Sequence, residues 1–184
     1  MLNDEKSKPE KINVRDWIVL STVMIGAVLT ILALIWSNPP LEGGIGSVTF
    51  LLMLSFVFFV NSVTTNSKAH FEADLENFNE KRIKRFVIFA EYSFGLGFTL
   101  VITGFSILGY KYLLDNFGRE LIVLILPIVF LGSAWVIIFI YNIINYIGRP
   151  FKAIRNLKRN LWILLELVCL ILIVFDFFEV FSIP

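Results

Sequence analysis

Two acidic side chains lie inside long apolar stretches of the sequence, where an ionised group is costly to place. Glu91 and Glu166 each follow a run of five residues that is almost wholly apolar. Carboxylates inside a membrane usually face a bundle interior or a water-filled cavity, where they bind a cation or exchange a proton. The alternative is that both acids reach water at the membrane edge or pair with flanking arginines.

The composition is that of an integral membrane protein. Of the 184 residues, 57% are hydrophobic, whereas soluble domains carry about 45–50% apolar residues. The charged residues cluster between the apolar runs. Because the basic residues lie in short loops and the net charge is only +1, the sequence indicates no nucleic-acid partner.

Five apolar runs have about the length that a membrane-spanning helix needs, which is about 20 residues. The sequence therefore predicts an all-α protein, with a segment at residues 1–16 on the cytoplasmic side and a single transmembrane domain at 17–184. The predicted spans are 17–37, 45–65, 86–109, 121–147 and 161–181.

The distribution of Lys and Arg predicts the orientation. From the N-terminal segment through the four loops to the C-terminal tail, the counts run four, none, five, two, five and none. Cytoplasmic segments carry the excess of positive charge. The pattern therefore predicts a cytoplasmic N-terminus and an external C-terminus.

The long loop between spans two and three has a helical pattern. Phe71, Leu75 and Phe78 recur at a spacing that places them on one helical face. We expect a cytoplasmic helix here, or helical extensions of the two spans. Such a helix either is a solvated hairpin or serves as a partner-binding or gating element.

Polar residues on several spans converge toward the cytoplasmic side. Counted from the start of their spans, Glu91 and Glu166 lie at the same predicted depth, about 7–8 Å at 1.5 Å per residue. Spans two and four end nearby with hydroxyl and amide side chains. The predicted ion-binding or pore-lining residues are Glu91, Glu166, Asn61, Thr65, Thr99 and Asn142.

The third span carries two stripes that predict a central position in the bundle. Glu91, Gly95, Thr99, Ile102 and Ser106 fall within an arc of about 80° at 3.6 residues per turn. A second stripe, of small residues that allow close helix packing, consists of Ser93, Gly97 and Gly104. The first stripe either lines a polar path or is a second packing seam.

The sequence lacks the residues that an intramembrane enzyme needs. The single cysteine, Cys169, lies in an apolar run, and the single histidine, His70, lies in a charged loop, so we expect no metal site, cofactor or catalytic nucleophile. At the outer end, Asp176, Glu179 and Glu42 lie opposite Lys111 and Arg119. We expect these to be ordinary interfacial residues; the alternative is an external acidic mouth that concentrates cations.

These patterns predict a small oligomeric channel or transporter for a cation or proton, with Glu91 as the key residue. The alternative is a non-catalytic membrane subunit that assembles with partner membrane proteins. The expected surroundings are a lipid bilayer, with the plasma membrane of a prokaryote as the predicted location, and the expected partner is a second copy of the chain or another membrane protein.

Overall fold

The computed structural model describes residues 14–39, 43–73, 79–145 and 161–184, and every regular element in these ranges is an α-helix. This confirms the all-helical fold. In chain order the helices are α1 (Val14–Ser37), α2 (Ile45–Ala73), α3 (Glu80–Phe117), α4 (Leu121–Asn145) and α5 (Leu161–Phe177).

Four of these helices, α1 to α4, are long and apolar enough to cross a membrane. They match the first four predicted spans, although α2 and α3 extend well beyond the predicted limits. Helix α5 matches the fifth run in position, but its 17 described residues are fewer than the about 20 that a span normally needs. That α5 crosses a membrane therefore stays a prediction.

The extensions of α2 and α3 form most of the long loop between them. Helix α2 continues to Ala73 and α3 begins at Glu80, so the predicted helical extensions are present. Arg82 of α3 pairs with Glu72 of α2 at 3.2 Å across this hairpin. The predicted apolar face falls partly on residues 74–78, outside the described ranges, and its first member, Phe71, is exposed.

Helix α3 is the longest helix of the described chain, with 38 residues, and clear signals define both of its ends. The side chain of Asn79 accepts a hydrogen bond from the backbone of Arg82 at the N-terminus, as N-cap residues do. Gly118, with a φ of 64°, follows the C-terminus and donates its N–H to the carbonyl of Leu114. We call the end of the bundle near Asn79 the α2–α3 end, and the end near Gly118 the α3–α4 end.

Glycines allow α2 to pack closely against α3. A Cβ atom on Gly97 would lie 3.1 Å from the ring of Phe59, closer than packed side chains normally approach. A Cβ atom on Gly104 would lie 3.6 Å from Leu52, which is an ordinary contact distance. Since small residues bring helix backbones together, this contact explains the small-residue stripe of α3. Helix α1 packs on the other side of α2.

Helices α4 and α5 pack against the remaining side of α3 and against each other. Helix α3 thus contacts all four other helices, as its two stripes predicted. Helix α5 runs in the same direction as α3 and ends at Phe177, earlier than the predicted limit at residue 181. Beyond it the chain turns at residues 178–180 and packs back against the start of α2, where Ser47 N donates to the carbonyl of Pro184 at 3.0 Å.

Candidate functional site

Glu166 on α5 is a fully buried acidic residue, with no exposed surface. The indole Nε1 of Trp135 on α4 donates a hydrogen bond to Glu166 Oε2 at 2.5 Å. The other oxygen, Oε1, has no hydrogen-bond partner among the residues that the structure describes. Burying a polar atom without a partner costs free energy, so Oε1 is an acceptor that the described residues leave unsatisfied.

The register between α3 and α5 gives the height of Glu166 in the bundle. Cys169 Sγ lies 3.8 Å from the carbonyl of Thr103, and Tyr110 lies against Asp176, in both cases with a separation of 66 residues along the chain. Because the two helices run in the same direction, Glu166 lies level with residue 100 of α3. That position is near the middle of α3.

The partner of Glu166 also lies near the middle of its own helix. Trp135 is about 15 Å from one end of α4 and about 21 Å from the other, at 1.5 Å per residue. The hydrocarbon core of a bilayer is about 30 Å thick. If α4 crosses a membrane, the Glu166 carboxyl therefore lies close to the centre of the hydrocarbon.

Glu166 belongs to a row of polar groups between α3 and α5. On α3 the spacing of Thr99, Thr103, Ser106 and Tyr110 places them on one helical face, and all four are buried. On α5 the buried polar residues are Glu166, Cys169 and Asp176. We call these seven residues the polar seam.

The hydroxyl groups of the seam are oriented along α3. Thr103 donates to the carbonyl of Thr99 at 2.8 Å, and Ser106 donates to the carbonyl of Ile102 at 2.9 Å. Such bonds leave the hydroxyl oxygens available as acceptors. Between Cys169 and Asp176, the fully buried Ile173 forms an apolar layer across the seam.

Glu91, the predicted key residue, lies in a different environment. It is exposed and makes no hydrogen bond or ion pair with the described residues. It lies one turn before Gly95, where an added Cβ atom would lie 3.4 Å from the ring of Trp162 on α5. Its side chain shares an exposed face of α3 with Phe98 and Phe105.

The expectation that Glu91 and Glu166 lie at one depth was wrong. Glu91 is about nine residues before the level of Glu166, or about 13 Å at 1.5 Å per residue. Counting from the start of each apolar run failed because α3 begins at Glu80, before its apolar part, and is offset along its axis relative to α5. The two acids therefore do not form a pair.

The other predicted lining residues lie mainly on the α2 side of α3. Asn61 donates to Ser93 Oγ at 2.6 Å, which joins α2 to α3, and Thr65 is buried nearby on α2. Thr99 is the predicted lining residue that shares the seam with Glu166. The side chain of Asn142 lies outside the described residues.

At the α3–α4 end, Asp176 forms a buried ion pair with Lys111, and both are 2–3% exposed. Lys111 Nζ lies 3.0 Å from Asp176 Oδ1, and Tyr110 donates to Oδ2 at 2.7 Å. The backbone N–H of Ile183 donates to Oδ1 at 2.8 Å. The expectation that Asp176 and Lys111 are ordinary interfacial residues was therefore wrong; we call the pair with Tyr110 and Ile183 the clasp.

Arg119 reinforces this end of α5. Its Nη1 donates to the carbonyls of Asp176 at 2.8 Å and Phe177 at 2.5 Å, and its Nε lies 3.1 Å from Glu179. A helix C-terminus leaves carbonyls unpaired and favours cations. Arg119 therefore stabilises the point at which α5 ends.

The sequence analysis predicted neither the bond of Trp135 to Glu166 nor the clasp. A Trp in an apolar helix carries one N–H that needs an acceptor when buried, and this was the available signal for its bond to Glu166. The opposite charges of Lys111 and Asp176, each near the end of an apolar run, were the signal for the clasp. Neither signal identifies which residue is the binding partner, because a single sequence does not show how two helices are aligned along their axes.

The described residues contain no group of three or more His, Cys, Asp or Glu side chains placed to hold a metal ion. At Glu166 the structure shows one carboxyl group with one indole N–H bound to it. A single carboxyl group is far from the six or more oxygen ligands that Ca²⁺ prefers.

Comparisons with known proteins gave no match. No family model, no curated protein and no solved structure is significantly similar to this chain.

Proposed function

We propose that the protein is a small membrane transporter or channel that moves a proton, alone or in exchange for another cation, with Glu166 as the central residue. The observation that carries the proposal is the complete burial of Glu166 midway along the bundle, with Oε1 unpartnered among the described residues. An ionisable residue inside a membrane is costly and usually serves a function.

The surrounding charge distribution supports this role. Helix α4 carries no charged residue along its length, and α3 carries none between Glu91 and Lys111. On α5, Glu166 is the one charged residue before Asp176. Helices α3 and α4 pack against α5 and offer Glu166 no basic partner along these stretches. In this proposal the transported species supplies the positive charge that neutralises the carboxylate.

In this proposal the transported species moves along the polar seam. It continues from Glu166 past Cys169 toward Asp176, with Ile173 as an apolar layer before the clasp. At the other end, Glu91 is exposed and lies about 13 Å from the level of Glu166. In this proposal Glu91 is an access group, not the central group that the sequence predicted.

The membrane arrangement is also proposed. The alternation of basic residues supports five crossings with the α2–α3 end in the cytoplasm, and a prokaryotic plasma membrane remains the proposed location. The four helices that pack around α3 leave much apolar surface exposed, including Phe98 and Phe105. This surface is suited to lipid or to a second copy of the chain.

A non-catalytic membrane subunit is the second candidate. One observation favours it: Glu91, Phe98, Phe105 and Tyr112 form an exposed row along α3, which a partner helix could cover. In that case Glu91 serves assembly and Glu166 fixes α4 to α5 through Trp135.

Proton flux in liposomes tests the proposal. Purified protein is reconstituted with a pH-sensitive dye inside, and wild type is compared with Glu166→Gln and the matched exposed variant Glu91→Gln. We expect flux in wild type, its loss in Glu166→Gln, and a smaller effect of Glu91→Gln because Glu91 is exposed.

A chemical readout accompanies the flux assay. Dicyclohexylcarbodiimide is an apolar reagent that reacts with protonated carboxyl groups, so it should label Glu166 inside the folded protein, as located by mass spectrometry. No labelling at Glu166, together with no flux for protons or monovalent cations, would refute the transport proposal and favour the assembly subunit.

A further inference from the structure

One side of α3 changes from basic to apolar near the α2–α3 end. Residues at a spacing of i, i+3, i+4, i+7 and i+11 lie along one side of a helix. Here five exposed residues have this spacing, and they are Lys81, Lys84, Arg85, Ile88 and Tyr92. We call this surface the basic face. Its three basic residues come first, and its two apolar residues follow toward the middle of the bundle.

The basic face points away from α2. Helix α3 contacts α2 through Ser93 and Gly97. At about 100° per residue, these two residues lie on the opposite side of α3 from the basic face. The face is therefore not part of the close contact between the two helices, and its side chains are free to bind something outside the hairpin.

The positive charges of the basic face are not neutralised within the part of the chain that the structure describes. The side chains of Lys81, Lys84 and Arg85 make no ion pair or hydrogen bond with the described residues. Glu80 and Glu91 lie just beyond the two ends of the face, and neither is paired with it. The face thus carries three positive charges on one side of a helix.

Two other basic residues of the α2–α3 hairpin have partners. Lys68 Nζ lies 5.1 Å from the centroid of the Phe86 ring, and Arg82 Cζ lies 5.7 Å from the same centroid. Aromatic faces attract cations. Arg82 also pairs with Glu72 at 3.2 Å. The uncompensated charge of the hairpin is therefore concentrated on the basic face.

The level of the basic face matches the headgroup layer of a bilayer. Lys84 and Arg85 lie about 22–24 Å along α3 from the level of Glu166, at 1.5 Å per residue. A bilayer is about 40–45 Å thick with its headgroups and about 30 Å thick without them. With Glu166 close to the centre, the headgroups end at about 20–22 Å. Ile88 and Tyr92 follow at about 18 and 12 Å, so the face becomes apolar near the hydrocarbon limit at about 15 Å.

We propose that the basic face binds an anionic phospholipid, with its phosphate at Lys84 and Arg85 and its acyl chains along Ile88 and Tyr92. A guanidinium group binds phosphate oxygens through two parallel hydrogen bonds, and an ammonium group adds a point charge. Basic clusters next to a membrane helix attract anionic lipids. A zwitterionic headgroup fits less well, because it brings a cation of its own to this face. The inference goes beyond the proposed function and does not depend on transport at Glu166.

Native mass spectrometry of lipid binding tests the site. Delipidated protein in mild detergent is titrated with phosphatidylglycerol or with phosphatidylcholine of identical acyl chains. We expect wild type to bind phosphatidylglycerol at least about tenfold more tightly. Each Lys or Arg near the membrane surface strengthens the attraction about fivefold. The double variant Lys84→Gln with Arg85→Gln should therefore lose at least about tenfold in affinity for phosphatidylglycerol.

A matched control removes the same charge from another side of the hairpin. It combines Lys68→Gln with Arg82→Gln, and we expect its affinity for phosphatidylglycerol to change by less than about twofold. All four substituted residues are exposed, so both double variants should fold, which circular dichroism checks. An equal loss of affinity in the two double variants would refute the site, since net charge and not the basic face would then attract the lipid.

Two further results would overturn the inference. Equal binding of the two lipids to wild type would refute recognition of the anionic headgroup and leave the face to solvent or to an acidic protein. Displacement of phosphatidylglycerol by equimolar glycerol phosphate would show that a free phosphate ester is enough, and would refute the lipid as the occupant. Glu166→Gln should keep the lipid preference, so a failure of proton flux leaves this inference intact, and loss of the lipid preference leaves proton transport intact.

Discussion

The clasp at the α3–α4 end allows a quantitative prediction about the stability of the fold. Lys111 and Asp176 are 2–3% exposed, and their charged atoms are 3.0 Å apart. Removing one partner of a buried ion pair costs about 3–5 kcal/mol, because the remaining charge is left without compensation. Asp176 keeps the hydrogen bonds from Tyr110 and Ile183 when the lysine is replaced. We therefore expect Lys111→Met to lower the free energy of unfolding by about 3 kcal/mol, at the lower end of that range.

A double-mutant cycle isolates the ion pair from other effects. Asp176→Asn keeps an oxygen that accepts from Ile183 but leaves the Lys111 ammonium buried without a counter-ion, so it should also cost about 3 kcal/mol. Combining the two changes removes both charges, and the double variant should be more stable than additivity predicts by at least about 2 kcal/mol. The pair of Glu72 and Arg82, in which Arg82 is 58% exposed and Glu72 is 14% exposed, is the matched control, with an expected coupling below about 1 kcal/mol.

The assay is unfolding in mixed micelles, in which the mole fraction of dodecyl sulfate is raised and helix content is followed by circular dichroism. Each variant is first shown to be monodisperse in mild detergent. A coupling energy below about 0.5 kcal/mol between Lys111 and Asp176 would show that the pair is hydrated, and the argument from burial would then fail.

Three further predictions follow from the packing of the helices. Gly97→Leu forces the α2–α3 contact apart and should lower the free energy of unfolding by at least about 2 kcal/mol, whereas Gly26→Leu should change it by less than about 0.5 kcal/mol; dodecyl sulfate titration of both variants checks this. Ser93→Ala removes the acceptor of Asn61 and should cost about 1 kcal/mol, the usual size for a hydrogen bond between membrane helices, in the same titration. Cys169, which is 2% exposed, should resist maleimide in the folded protein and react after denaturation, as measured by mass spectrometry; fast reaction in the folded state would contradict its burial.

The helices themselves were predictable because each depends on local sequence. A run of about 20 apolar residues is enough to predict a membrane helix, and α1, α2 and α4 begin or end close to where their runs do. Helix α3 was predicted too short. Its last two turns contain Lys111, and a charged residue normally indicates the end of a span. In the structure Lys111 pairs with Asp176, a residue 65 positions away along the chain.

The candidate site was predictable only in part, for a different reason. The sequence identified Glu166 as an acid within an apolar run, and it identified α3 as the central helix from its two stripes. It could not give the offset between α3 and α5, which depends on side-chain contacts such as those of Gly95 with Trp162 and Cys169 with Thr103. Without that offset, Glu91 and Glu166 were placed at one level, and Glu91 was predicted to be the key residue, whereas Glu166 is the acid that is buried.

The two sides of α3 differ in a way that indicates where the structure can move. Toward α2, Gly97 leaves little space for a side chain, and Asn61 and Ser93 add a hydrogen bond. Toward α4 lies a groove of about 540 Å³, and a cavity of about 310 Å³ separates part of α5 from both α2 and α3. Because closely packed seams resist deformation and cavities do not, a change that exposes Glu166 to one end and then the other should move α4 and α5 against a rigid unit of α1 to α3. In the transport proposed above, the bond between Trp135 and Glu166 would keep the carboxyl with α4 and α5 as they move.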